Sequence, residues 1–214
     1  EKNSKFKNIY IQNNKSNGFF HKFLKNKLSL NSNYSNLIFS SGLKFNKLDI
    51  ECDLNDKNSE CNILSALFLN KNEHQEIKTR INHLAPNCKS FQRVKNVLSH
   101  DSKGIFQGKI FVKDIAQKTD AYQLSKALLL NDDAEFNSKP ELEIYADDVK
   151  CSHGSTSGSV DEDSLYYLMT RGLNRVEATK LLIKGFLNEV TEFIKSPSIK
   201  KFIEKKLEEN INGY

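Results

Sequence analysis

The sequence has no tryptophan, one methionine and only three prolines among its 214 residues. It also has no run of 18 apolar residues, so we expect no segment that spans a membrane. Its first fifteen residues carry charge but no apolar core and no cleavage signal. We therefore expect a bacterial cytoplasmic protein, or a plastid or apicoplast protein if a leader was removed before Glu1.

Sequence motifs for common enzymatic activities are missing as well. The chain contains no GxxxxGK[ST] nucleotide-binding loop, no GxSxG, no HExxH and no dinucleotide fingerprint. Asp147 and Asp148 suggest a carboxylate pair of an exported, polysaccharide-active enzyme, but neighbouring strand residues point to opposite faces. The absent tryptophan also removes the usual platform for a sugar ring. We therefore predict a protein that is not an enzyme and keep the polysaccharide enzyme as a weak alternative.

Charge and cysteine content allow broad conclusions only. The excess of Lys and Arg, 32 against 27 acidic residues, gives a net charge of +5, which requires no nucleic-acid partner. The four cysteines, Cys52, Cys61, Cys88 and Cys151, contain no CxxC pair. Scattered cysteines in a cytosolic chain are typical of reduced thiols, and we expect most of them to be buried.

Short apolar segments separated by polar turns occupy the first two thirds of the chain. In the segment Leu48–Leu54 the apolar side chains alternate with polar ones, which is typical of a strand with one buried face. The segments between strands are rich in Asn, Ser, Gly and Asp, which favour turns. The other predicted strands are Ile9–Ile11, Leu28–Leu30, Leu37–Phe39, Ile63–Leu69, Glu76–Ile81, Ser90–Leu98, Ile105–Val112, Ala121–Leu130 and Glu141–Lys150.

So many short strands suit a sandwich, a barrel or a stacked β-solenoid. Comparable strands recur about every twenty residues, which is at the low end of solenoid periods. This pattern alone leaves the three architectures open.

The pattern becomes helical near residue 161. Asp161 and the acids after it suit a first helical turn, and Arg171-Gly172 suits a helix end. Asn174 is expected to cap a second helix, with Glu177 as its capping-box partner. A third helix is predicted over Ser198–Asn210.

Cys151 and His153 are the strongest candidates for metal chemistry. If Leu142–His153 is extended, both side chains lie on one face, and a thiolate beside an imidazole suits iron or zinc. Lys150 would favour the thiolate by its charge, and Asp147 and Asp148 would orient a ligand or turn the chain. Because one thiol and one imidazole are too few ligands for an iron or zinc centre, we expect a partner chain to complete the site.

The segment Lys139–Arg171, KPELEIYADDVKCSHGSTSGSVDEDSLYYLMTR, resembles the C-terminal signature of the SufB/SufD family of iron–sulfur cluster assembly scaffolds. The resemblance extends upstream through Thr79–Leu98, Gly104–Val112 and Ala116–Leu130, and downstream through Ala178–Glu192. The CSHG sequence, together with a region 131–139 that lacks cysteine, resembles the SufD branch rather than the SufB branch.

The resemblance implies a mainly β fold, a right-handed parallel β-helix over residues 1–158 followed by a helical domain over 159–214. It implies a complex with SufB and with two copies of the ATPase SufC, and a cluster or iron bound only transiently at the interface with SufB. His153 would face SufB. The expected docking side chains for SufC are Leu165, Tyr166, Leu168, Met169, Arg171, Leu182 and Phe186.

Three further expectations remain open. His83 and Cys88 are weaker candidates for a metal site, whereas His21, His74 and His100 are expected at the surface. The rival function is a purely structural partner that stabilises SufB and recruits SufC. An isolated chain is expected to be able to pair with itself through an open strand edge.

Overall fold

The architecture was analysed in a computed structural model, which describes residues 1–213, so that only Tyr214, the end of the predicted helical domain, lies outside it. Nine strands come first and three helices follow. The strands are β1 (Lys5–Leu28), β2 (Asn33–Leu54), β3 (Glu60–Leu69), β4 (His74–His83), β5 (Lys89–Leu98), β6 (Lys103–Val112), β7 (Asp120–Leu129), β8 (Glu135–Ile144) and β9 (Lys150–Ser159), and the helices are α1 (Glu162–Thr170), α2 (Arg175–Thr191) and α3 (Pro197–Asn212).

All strand pairs are parallel, and the chain winds through two stacks of strands. The first stack contains the first halves of β1 and β2, then β3, β5, β7 and β9; the second contains their second halves, then β4, β6 and β8. This arrangement confirms a mainly β, parallel β-solenoid of about five turns with three C-terminal helices. The right-handed winding and the division into domains at residues 158 and 159 stay predictions.

The repeat of the solenoid is longer than the sequence pattern indicated. Asn33 pairs with Glu60, 27 positions later, and Glu60 pairs with Lys89, 29 positions later. Lys89 pairs in turn with Asp120, 31 positions later. The estimate of about twenty residues was wrong because each turn contains two strands and two connections.

Alternation along each strand fills the interior. Leu48, Ile50, Cys52 and Leu54 are all buried, as the sequence pattern predicted, and they face the first stack across the coil. Burying apolar area of this kind contributes roughly 25 cal/mol per Å². Polar side chains also lie inside, and they bond to each other across the coil. Thr79 Oγ1, for example, donates to Gln92 Oε1 at 2.6 Å.

A repeated turn joins the end of the second stack to the start of the first. Its central residue has a positive φ in each case, which asparagine tolerates better than most residues. The next residue is a Ser, Thr or Cys, and Ser32, Ser59 and Thr119 each donate to the carbonyl three residues earlier. The five copies are Asn3-Ser4, Asn31-Ser32, Asn58-Ser59, Asn87-Cys88 and Lys118-Thr119.

Two predicted strands differ from the structure. Of Leu28–Leu30 only Leu28 belongs to a strand. The predicted strand Glu141–Lys150 contains the end of β8, a turn and the first residue of β9. The chain turns here because the Lys118 N–H donates to the carbonyl of Asp148. This bond continues the row of hydrogen bonds that joins each repeated turn to the next one.

The predicted cap of the second helix is confirmed, because Asn174 forms a capping box with Glu177. Asp161, which was predicted in the first helical turn, instead precedes α1 and caps it by accepting from the N–H of Ser164. Helices α2 and α3 cover the outer face of the first stack. Their side chains Ile183, Leu187, Ile203 and Leu207 form an apolar cluster with the strands there. The buried Lys95 ammonium donates to the carbonyl of Phe186 at 2.9 Å and so links β5 to α2.

The hydrogen bonds between the repeated turns give a first prediction. Asn58 has φ 59°, and its Nδ2 donates to Asn31 Oδ1 at 3.0 Å. We expect Asn58→Ala to lower the free energy of unfolding in urea by about 1–2 kcal/mol, because alanine resists a positive φ. Asn58→Gly loses the same side-chain bond but keeps the backbone freedom, so its loss should be clearly smaller. Equal losses in the two variants would contradict this account.

Candidate functional site

The solenoid ends on two strands whose outer edges are unpaired within residues 1–213. β9 pairs only with β7, and β8 pairs only with β6. Each free edge presents a row of backbone N–H and C=O groups that another strand can pair with. The inward-facing side chains of these two strands therefore lie at the open end of the coil, where they are accessible.

Cys151 and His153 both lie on β9 and face the interior side of this open end. Their register partners on β7 are the buried Ala121 and Gln123. Cys151 packs against the apolar cluster around Ala121. Ser155, two residues beyond His153, accepts from Ser125 Oγ at 3.0 Å. His153 lies between two inward-facing residues, so it shares their face, as the period-two argument predicted.

The environment of Cys151 disfavours the thiolate. Burial raises the pKa of the Cys151 thiol, and the nearby carboxylate of Asp120 raises it further, whereas a backbone bond from Ala121 lowers it. Lys150, which we expected to favour the thiolate, is exposed and does not offset these effects. Cys151 is therefore a protonated thiol at neutral pH until a cation or a partner changes its surroundings.

Asp147 and Asp148 lie in the turn before β9. The segment Leu142–His153 is not extended, because the chain turns between Ile144 and Lys150. Asp148 N–H donates to Gln117 Oε1 at 2.9 Å, and both aspartates are exposed. Asp147 and Asp148 therefore form a turn, which is one of the two roles predicted for them. The carboxylate beside Cys151 is that of Asp120, which the sequence did not indicate.

No group of three or more His, Cys, Asp or Glu side chains in the described part of the chain is arranged to hold a metal ion. The other cysteines are buried, as expected. Cys52 and Cys61 contact each other, and this contact and burial raise the pKa of the Cys61 thiol. Cys88 lies at the position in the repeated turn that serine occupies in other copies, and its Sγ lies 3.2 Å from Ser59 Oγ.

His83 is a core residue. Its Nε2 lies 2.8 Å from Ser90 Oγ, and its Nδ1 lies 3.5 Å from Thr119 Oγ1. Burial lowers the pKa of His83 to about 4. Both ring nitrogens therefore have protein partners, and the ring is neutral.

The helical region presents an exposed apolar face. Tyr166 is 71% exposed and Met169 is 41% exposed. Leu165 is buried, and Phe186 packs towards the solenoid with the Lys95 ammonium 4.4 Å from its ring centre. Leu168 and Leu182 are half-buried, and Arg171 is exposed. Three exposed side chains that the sequence analysis missed extend this face: Tyr167, Val176 and Leu181.

A cleft of about 680 Å³ lies elsewhere, on the outer face of the first stack. Leu37, Leu64, Phe91 and Phe193 line it, together with lysines at its rim, and neither Cys151 nor His153 belongs to it. The candidate site is therefore an open end of the coil and not a closed pocket. Nothing in its shape encloses a small substrate.

Burial of His83 gives a prediction for stability against pH. The folded pKa lies below that of an exposed histidine, so the contribution is present above about pH 6.5 and is lost as the pH falls towards 4. Between about pH 7 and pH 5 it should lower the free energy of unfolding by about 2 kcal/mol. His83→Gln should remove this part of the pH dependence in urea titrations; an unchanged slope would show that His83 is not buried as a neutral ring.

Comparisons with known proteins bear on these features. A family model described as "SUF system FeS cluster assembly, SufBD core domain" matches residues 1–186. Iron-sulfur cluster assembly protein SufD of Escherichia coli is 37% identical over 160 residues, which are 75% of this chain and 38% of that protein. A SufBD family protein of Synechocystis, slr0076, is 32% identical over 78% of this chain and 37% of its own length.

Protein ABCI7, chloroplastic, of Arabidopsis thaliana is 31% identical over 90% of this chain and 41% of its own length. The chain thus spans about two fifths of the length of these relatives. No helix within residues 1–213 is long and apolar enough to cross a membrane. The family match covers both solenoid stacks, the open end with Cys151 and His153, and helix α1. The chain belongs to the SufBD family of iron–sulfur cluster assembly proteins and is a homologue of SufD.

Proposed function

We propose that this chain is a non-catalytic scaffold subunit that contributes Cys151 and His153 to a cluster-assembly site shared with a SufB subunit. The observation that carries the proposal is the location of both side chains on the free last strand of the coil. Iron or a nascent cluster is the cargo of this site and is not a resident cofactor. The relatives are named as assembly proteins, which agrees with a role other than catalysis.

The number of ligands supports a shared site. One thiol and one imidazole leave an iron centre short of the four protein ligands that clusters usually have. A chain that docks on the open end brings its own side chains close to Cys151 and His153. Pairing between its strand and β9 would satisfy the free backbone groups at the same time.

The raised pKa of Cys151 supports transient binding. A protonated thiol binds iron poorly, and binding must release its proton. The positive charge of an arriving iron ion offsets the effect of Asp120 and stabilises the thiolate. The site therefore favours the thiolate only while cargo is present, which suits assembly followed by release.

SufC docks, in this proposal, on the exposed face of α1 and the first half of α2. Tyr166, Tyr167 and Met169 form the centre of this face, and the Arg171 guanidinium lies 5.1 Å from the centre of the Tyr167 ring. Leu165 supports the face from inside. Phe186 is half-buried and contributes by holding α2 on the solenoid through its contact with Lys95.

A second candidate is a purely structural subunit that stabilises SufB and recruits SufC. The exposed apolar face on the helices favours it, since docking alone needs no chemistry at Cys151 or His153. The free edges of β8 and β9 would also allow two copies of this chain to pair when SufB is absent. The family match leaves no support for a polysaccharide-active enzyme.

The shared site is tested by co-purifying this chain with SufB and SufC from the same organism and measuring iron and sulfide anaerobically. We expect His153→Ala to leave the complex intact but to lower the iron content at least about 10-fold, because one ligand is lost. Cys151→Ala should lower it as well. Ser157→Ala, on the same exposed strand, is the matched control and should behave like the wild type.

An unchanged iron content in His153→Ala and in Cys151→Ala would favour the purely structural subunit. The chemistry would then belong wholly to the partner. A complex that fails to form in Ser157→Ala as well would show that the edge of β9 tolerates no change.

The docking face is tested by capture of SufC on immobilised chain. Tyr166→Asp with Met169→Asp should weaken capture at least about 10-fold, because two charges enter an apolar interface. Phe202→Asp is the matched control, since Phe202 is an exposed apolar residue on α3, outside the proposed face. Equal capture by all three proteins would exclude the docking assignment.

A further inference from the structure

The residue directly beneath His153 in the coil is Gln123. The two are register partners in a parallel ladder, where neighbouring strands lie about 4.8 Å apart. Cys151 packs on the cluster around Ala121, and Ser155 bonds to Ser125, so both neighbours of His153 contact the strand beneath in the same way. The imidazole of His153 therefore lies over the side chain of Gln123.

Two interior hydrogen bonds fix the Gln123 amide, and a third holds its partner Gln92. Gln92 Nε2 donates to Gln123 Oε1 at 3.4 Å, and Gln123 Nε2 donates to the carbonyl of Gly108 at 3.3 Å. Thr79 Oγ1 holds Gln92 in turn at 2.6 Å. Gly108 is required here, because an added Cβ would lie 2.5 Å from Gln123 Oε1. The amide is thus held from below and from across the coil.

The Gln123 amide keeps hydrogen-bonding capacity after these contacts. Its oxygen can accept two bonds and uses one, and its nitrogen can donate two bonds and uses one. Gln123 is completely buried, and its register partner on the last strand is His153.

We propose that Gln123 is a positioning residue for His153. Its oxygen accepts from one ring N–H of His153, which fixes the tautomer and leaves the other ring nitrogen unprotonated and directed out of the coil. Histidines that bind metals usually donate their second N–H to a carbonyl or carboxylate in this way. The inference rests on the proposed function, because the outward nitrogen is the one that would meet iron at the shared site.

The tautomer of His153 in the isolated chain tests the geometry without any cluster. Nitrogen-15 NMR of ring-labelled histidine, assigned with His153→Asn, reports which nitrogen carries the proton. We expect one tautomer to predominate in the wild type and both to be populated as in free histidine in Gln123→Met. Gln75→Met is the matched control, since it removes another buried interior amide, on β4, and should leave the His153 spectrum unchanged.

Equal tautomer populations in the wild type and in Gln123→Met would overturn the proposal. If Gln123→Met does not fold, the wild-type spectrum decides, because populations equal to those of free histidine overturn the proposal as well. Gln123→Glu keeps an acceptor oxygen in place and should keep the wild-type tautomer.

Iron content in the complex with SufB and SufC gives the functional consequence. We expect a decrease of about 10-fold in Gln123→Met and none in Gln75→Met. A normal iron content in His153→Ala would refute the proposed shared site, and the tautomer comparison would still decide the role of Gln123. A normal iron content in Gln123→Met beside a depleted His153→Ala would overturn the positioning role alone.

Discussion

Backbone pairing between successive turns of the coil is the constraint on which the other features depend. Every inner strand has a neighbour on both sides, so its inward side chains are buried, as Gln92 and Gln123 are. The last strands have a neighbour on one side only, and the same inward positions become accessible there. Position along the coil thus decides chemistry: His83, inside, is neutral with a pKa lowered by burial, whereas His153, on the last strand, is exposed.

An ion pair between a buried lysine and a half-exposed glutamate connects the helices to this coil. Lys95 is almost completely buried beneath α2, and its ammonium lies 2.5 Å from Glu189 and 2.9 Å from the carbonyl of Phe186. Burial lowers the pKa of Lys95, and Glu189 partly restores it. Loss of Glu189 would leave the desolvated Lys95 ammonium with only the Phe186 carbonyl as partner, which weakens the packing of α2 on the solenoid. Helix α2 is therefore tied to β5.

The sequence predicted those parts of the fold that depend on local pattern. Alternation over Leu48–Leu54 and the capping box at Asn174 are both present. The period was misjudged because each turn contains two strands, so the spacing between successive strands differs from the spacing between turns. A repeated signal was missed: a residue with positive φ followed by Ser, Thr or Cys, as in Asn58-Ser59, marks five turns of the coil, although not the turn before β9.

For the candidate site, the sequence predicted only which side chains of one strand lie on the same face. Cys151 and His153 share a face because both lie on β9, so an error in where that strand begins did not affect them. The expectations for Asp147 and Asp148 depended on that boundary and changed with it. Asp120 and Gln123 approach the site only through register with a strand about 30 positions away, and no local pattern contains that information. In a solenoid the residues that tune a site come from the adjacent turn, so the β7–β9 register determines the chemistry available to His153.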